Sequence, residues 1–231
     1  RFLGILRPGA YADHMLVPHP RYLVDAAGVD SAFAATLACS GLTTYGAIQR
    51  ARPFDSEDWV TVIGAGGLGL QCIAILAALG QQRIVAVDIA EAKLAAARAA
   101  GATVTINGRA TDALAQLQRA TGGGPQAVID LVGAADTATL GLASLRKGGK
   151  YVVCGLFGGE IPVSLVPIAQ RCIAIQGSYV GTVAELEAVM TLARSGKLRP
   201  IPIEQRSFDQ LDKTLDELKA GTIVGRVVIA Y

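Results

Sequence analysis

The chain has 231 residues, 52% of them hydrophobic and 17% charged, with 21 basic and 19 acidic side chains and a formal net charge of +2. That composition, with a mean hydropathy of +0.42, excludes a disordered chain and supports a sizeable buried core. No basic stripe points to nucleic acid, and no apolar run reaches the ~18 residues of a membrane span.

Residues 1–25 hold Gly9, both histidines and three prolines, with short strand-like pieces such as Met15-Leu16-Val17. Arg1 to Pro8 is too short and too broken for a secretory leader, and a start at Arg1 reads as a piece of a longer chain. From Trp59 onward a different pattern sets in. Short β-branched runs at 59–63, 84–88, 104–106, 127–132 and 150–155 alternate with Ala- and Leu-rich helical stretches at 68–79, 91–100, 111–120 and 137–145. Glycines close several of these helices. Strand–helix alternation of this kind predicts a parallel sheet covered on both faces, a doubly wound α/β domain. An amphipathic helix is predicted over 182–195, opened by the box Thr182-x-x-Glu185 and burying Leu186, Val189, Met190 and Ala193. A second opens at Ser207-x-x-Gln210, carries Leu211, Leu215 and Leu218 on one face and stops at Gly221. Residues 223–229 read as a closing strand.

The four cysteines lie far apart with no C-x-x-C pair, which argues against a zinc ribbon or disulfide staples and for a reducing, cytoplasmic setting. Cys72, Cys154 and Cys172 sit in apolar runs and are expected in the core. His14 and His19 are expected at the surface.

The strongest chemical signal is Gly64-Ala65-Gly66-Gly67-Leu68-Gly69, directly after a predicted strand and directly before a predicted helix. Gly64 permits a sharp turn, Gly66 lets the backbone approach a pyrophosphate, and Gly69 lets the helix sit close to the strand. The helix N-terminus then offers free N–H groups to an anion. Asp88 follows at the end of the next strand, 19 residues after Gly69, where a carboxylate accepts from ribose hydroxyls and repels a 2′-phosphate. This pattern predicts a dinucleotide site that prefers NAD, since Ile89-Ala90-Glu91 offers no arginine for NADP. A glycine-rich packing turn and an S-adenosylmethionine methyltransferase are the rival readings.

The block Leu37-Ala-Cys39-Ser-Gly41-Leu-Thr43-Thr-Tyr45-Gly-Ala47, followed by the glycine turn, resembles the zinc-dependent medium-chain alcohol dehydrogenases. So do Gly9-Ala-Tyr-Ala-Asp13, Gly177-Ser-Tyr-Val-Gly181, Leu218-Lys-Ala-Gly221 and Gly225-Arg226, in the family's order along nearly the whole chain. The resemblance implies a Rossmann domain over 41–176, with residues 1–40 and 177–231 as remnants of a catalytic domain at both ends. It implies Cys39 as one ligand of a catalytic zinc, and Thr43 and Leu68 beside the nicotinamide of NAD. Asp88 and Lys93 would hold the adenosine ribose, although Lys93 equally suits a solvated helix. Gly155 and Leu156 would meet the nicotinamide side, and Arg226 the pyrophosphate. The segment Cys172 to Tyr179 corresponds to a strand that pairs across a twofold axis, implying a homo-oligomer, dimer or tetramer. The implied reaction is NAD-dependent oxidation of a small alcohol to an aldehyde or ketone.

The family's other zinc ligands, a cysteine and a His–Glu pair, its proton-relay hydroxyl and its four-cysteine structural zinc lobe have no counterpart in these residues. Cofactor binding is therefore expected to survive in this chain and turnover is not, so no catalytic residue is assigned. The alternatives are a zinc-free quinone or enoyl reductase of the same fold, which Cys39 and Asp88 disfavour, and a nucleotide-binding module without chemistry.

Overall fold

In the computed structural model, which describes residues 3–230, the β-branched runs form six parallel strands. These are β1 (Val60–Ile63), β2 (Ile84–Asp88), β3 (Val104–Asn107), β4 (Ala127–Asp130), β5 (Lys150–Val153) and β6 (Ala174–Gly177), in the order β3-β2-β1-β4-β5-β6. Every pairing is parallel and in simple register, Ile63 lying opposite Val87 on one side and Asp130 on the other. The strand order reverses between β1 and β4, the crevice where open α/β sheets take ligands at the carboxyl ends of their strands. This is the doubly wound Rossmann arrangement expected from the alternation of elements.

Burial follows from the layers. β1 and β4 are buried along their whole length, as two-sided cover by helices requires. Helix α3 (Gly67–Ala78) has no polar face and is buried from Gly69 to Leu76. It lies between the sheet, α4 (Glu91–Ala100) and the helical run that precedes β1. On the other face α5 (Ala113–Thr121) and α6 (Ala135–Ser144) cover Val85, Val128 and Tyr151.

Three elements exceed the expectation from sequence. Residues 31–51 form one helical run: α1 (Ser31–Thr36), a π-helical turn (Leu37–Gly41) and α2 (Leu42–Ala51). Asp30 caps it, its carboxylate accepting from the Phe33 amide at 2.9 Å. A short α7 (Leu165–Arg171) precedes β6, and β7 (Ile203–Ser207) pairs in parallel with β8 (Arg226–Ala230) as a second, two-stranded sheet. The expected helix α8 (Val183–Arg194) lies between β6 and β7 and is opened by the predicted capping box; α9 (Leu211–Ala220) lies between β7 and β8, and the Ser207–Gln210 box opens the 3-10 turn (Phe208–Gln210) that leads into it.

Other expectations need correction. Met15-Leu16-Val17 forms no strand, because no neighbouring segment among the described residues offers it a ladder. Cys172 is not in the core: it is the exposed left-handed cap at the end of α7, with φ 52°. Cys72 and Cys154 are buried as expected, and burial pushes both thiols up. Leu215 and Leu218 of α9 stay exposed. That helix is held instead through Arg206, which donates to Thr214 Oγ1 at 3.0 Å and Glu217 Oε2 at 2.7 Å. His14 and His19 are exposed, and His19 Nδ1 accepts from the Arg21 amide. Arg1, Phe2 and Tyr231, the outer ends of the predicted flanking segments, lie outside the described residues.

Candidate functional site

The turn after β1 is built by exclusion of side chains. Gly64 takes φ +90°, and a Cβ at Gly69 would overlap the Gly64 carbonyl oxygen. The first turn of α3 therefore packs directly on the end of β1. Around Gly66 no atom lies within 4 Å of where a Cβ would be, so its backbone faces open space at the helix N-terminus. Leu68 is half-buried in the same first turn.

Arg226, the first residue of β8, is brought onto this turn from the far end of the sequence. A Cβ on Gly67 would stand 2.5 Å from Arg226 Nε and 2.6 Å from the Gly225 carbonyl. Nε and one terminal nitrogen of the guanidinium are buried and have no hydrogen-bond partner among the described residues. Burial lowers the pKa of this group, with Cys39 and Tyr11 pulling the other way. Buried donors are normally paired. An unpaired guanidinium against a helix N-terminus is a receptor for an anionic phosphate group.

Asp88, at the end of β2, is set by three backbone donors. Oδ2 accepts from the Ala65 amide at 2.7 Å, and Oδ1 accepts from the Ile89 and Ala90 amides at 2.7 and 2.9 Å. The carboxylate thus ties the glycine turn to the start of α4 and keeps an orientation fixed before any ligand arrives. Lys93, in the first turn of α4, is half-buried and its ammonium forms no hydrogen bond or ion pair with the described residues.

The remaining predicted positions fall along the same edge or across the crevice. Gly155 follows β5 in close backbone contact with the β4–α6 turn: a Cβ on Gly155 would overlap the Val132 carbonyl carbon, and one on Gly133 the Gly155 oxygen. Leu156 and Phe157 then project outward, 79% and 81% exposed. Thr43 is buried on α2. Cys39 is exposed within the π-helical turn and lines a cleft of about 450 Å³ with Tyr11, Thr36, Ser40 and Arg226. Such π-bulges frequently mark functional positions. Among the described residues no three His, Cys, Asp or Glu side chains gather as a metal site. A zinc centre therefore does not fit the donors at hand, whereas a dinucleotide fits the glycine cradle and the unpaired Arg226.

Asp130 and its partner Tyr151 escaped the sequence reading. Asp130, fully buried at the end of β4, accepts from Val132 and Gly133 amides and from the Tyr151 hydroxyl. The only hint in the sequence was a single acidic residue inside the otherwise apolar run 127–132.

The strand order and glycine turn define a nucleotide-binding α/β protein of the Rossmann type. Comparison with known proteins narrows the class. The profile of the zinc-binding dehydrogenases matches residues 67–195, and the chain belongs to that family. It is 36% identical to an NAD-dependent alcohol dehydrogenase of Sulfurisphaera tokodaii over 230 residues, covering 99% of this chain and 66% of that protein. The chain thus spans just under two thirds of that relative's length. Among solved structures, a D-arabinose dehydrogenase from Sulfolobus solfataricus superposes with a TM-score of 0.83 at 30% identity, over 90% of this chain and 65% of the other. An acetophenone reductase from Geotrichum candidum, solved with NAD, gives a TM-score of 0.77 at 28% identity, over 89% and 57% of the two chains.

Proposed function

We propose that this chain is the cofactor-binding part, with flanking segments, of an NAD-dependent dehydrogenase that interconverts a small alcohol and its aldehyde or ketone. The observation that carries the reading is the buried, unpartnered guanidinium of Arg226 against Gly67 at the N-terminus of α3. Gly66, Gly67 and Arg226 would hold the pyrophosphate, with Gly64 and Gly69 shaping the turn and Leu68 set behind the nicotinamide. Asp88, with Lys93 beside it, would take the adenosine ribose. The other half of the dinucleotide then runs across the switch point, over Thr43, Gly155 and Leu156. When bound, the nicotinamide takes or gives the hydride. Thr43, Gly155 and Leu156 would orient the ring for transfer.

Cys39 is this chain's one candidate zinc donor. A catalytic zinc commonly takes three protein ligands, so no step is derived through the metal. The division into 1–40, 41–176 and 177–231 assigns the six-stranded sheet to cofactor binding and the ends to a catalytic domain. The β7–β8 pair and Cys39 fall in those ends. β6 is an edge strand exposed along its whole length. Bare edges invite pairing, and we assign this one to a twofold homodimer contact, alone or within a tetramer. The four free cysteines suit a reducing, cytoplasmic setting. No helix of the described residues is long and apolar enough to cross a membrane.

The test is calorimetric titration of the purified chain with NADH and NADPH. Saturable binding of NADH, at least about tenfold tighter than NADPH, equivalent to ~1.4 kcal/mol, is expected. A folded chain that binds neither overturns the reading.

A further inference from the structure

The buried carboxylate of Asp130 does more than satisfy local donors. Its Oδ1 accepts from the amides of Val132 and Gly133 at 2.8 and 2.9 Å, which fixes the turn leaving β4. Its Oδ2 accepts from the Tyr151 hydroxyl at 2.7 Å, which ties it to β5. Tyr151 stands opposite Val128, two residues before Asp130 on the same sheet face, so the phenol reaches the carboxylate diagonally. The Asp130 carbonyl accepts in turn from Cys154 and Gly155 amides, at 2.8 and 3.1 Å. From there the two loops run side by side: Phe157 donates to the Val132 carbonyl and Gly159 to that of Gly133. One residue therefore sets the relation between both loops at the carboxyl edge of β4 and β5. Burial and the adjacent carboxylate hold the Tyr151 pKa above its ordinary value, which keeps the phenol a donor.

Pyrophosphate at Arg226 and ribose at Asp88 place the adenosine half over β2, on one side of the switch point. The nicotinamide half must then lie over the ends of β4 and β5, on the Asp130 side. We propose that Asp130, with Tyr151, is a positioning residue for the nicotinamide ring of the cofactor: it sets the Gly133–Gly155 crossing against which the ring is seated. This rests on the NAD reading above. No direct contact between Asp130 and the cofactor is involved, and the adenosine half is seated independently of it.

ADP-ribose, which lacks only the nicotinamide, separates a positioning role from general loss of fold. In Asp130→Ala, NADH affinity is expected to fall about tenfold, ~1.4 kcal/mol, with ADP-ribose affinity within about twofold of wild type. Asp130→Asn should restore most of the loss, because its amide oxygen still accepts from the two N–H groups and its NH2 can donate to the Tyr151 oxygen. Tyr151→Phe removes one bond only and is expected to move the NADH to ADP-ribose ratio in the same direction by about threefold, ~0.65 kcal/mol. It decides the matter if Asp130→Ala does not fold. A ratio unchanged in the folded variants, whether both affinities fall together or neither does, overturns the positioning role alone. Wild-type protein that binds neither ligand overturns the NAD reading, and this inference with it.

Discussion

Replacing Arg226 by Met should make the unliganded chain more stable and the liganded one weaker. Two guanidinium nitrogens are buried without partners among the described residues, with Nε against the Gly67 backbone. An unsatisfied buried donor costs about 1–3 kcal/mol, and more when charged. Methionine keeps the aliphatic stem and the packing while removing that cost, so the urea midpoint should rise by the equivalent of ~1 kcal/mol. The same change deletes charge-assisted hydrogen bonds to phosphate, each worth about 1.5–3 kcal/mol, which converts to roughly a tenfold to 150-fold loss in NADH affinity. Urea unfolding followed by circular dichroism gives the first number, and calorimetric titration with NADH the second. A variant that is less stable yet binds NADH normally would refute the reasoning, since Arg226 would then be a structural residue whose burial is already compensated.

Asp88→Ala should shrink the preference for NADH over NADPH towards parity. It should also cost about 1–3 kcal/mol of stability, because three backbone amides lose their acceptor; retained preference in competitive titrations would contradict this. The raised Tyr151 pKa makes the folded state hold its proton more tightly than the unfolded chain. Its contribution is full below the ordinary tyrosine value of about 10 and is lost as pH climbs from there towards the folded value. Stability should therefore fall above pH ~10 by up to ~1.4 kcal/mol per unit, and Tyr151→Phe should flatten that slope relative to wild type; identical slopes would show that the phenol ionises freely. Ile175→Lys on the exposed edge strand should convert an oligomer to monomer in light scattering without loss of NADH binding, and an unchanged mass would remove β6 from the interface.

Much of the fold was legible because its signals are local. Most strands of the large sheet are short β-branched runs, and a glycine closes each of α3, α4 and α5, so local pattern placed five of the six strands. β6 was harder. Its run Ala174-Ile-Gln-Gly177 resembles a strand, but its place at the sheet edge depends on pairing with β5, which no local pattern encodes. The run 31–51 was missed although Asp30 is a good N-cap, because the small residues of Leu37-Ala-Cys-Ser-Gly41 break the helical pattern where the π-turn forms. The site shows the same division. The glycine turn and Asp88 follow from sequence spacing. Arg226 is 157 residues from Gly69, and its unpaired burial exists only once β8 is folded onto α3. Asp130 reads as a lone acid within the apolar run 127–132 until the register with β5 reveals Tyr151 beside it.

A crystal structure of the chain grown with NADH would show whether Arg226 and the first turn of α3 together hold a pyrophosphate. Phosphate oxygens are expected about 2.7–2.9 Å from the Arg226 guanidinium, with further hydrogen bonds from the amides at the start of α3. A dinucleotide bound elsewhere, or at the crevice with Arg226 still unpaired, would contradict that expectation.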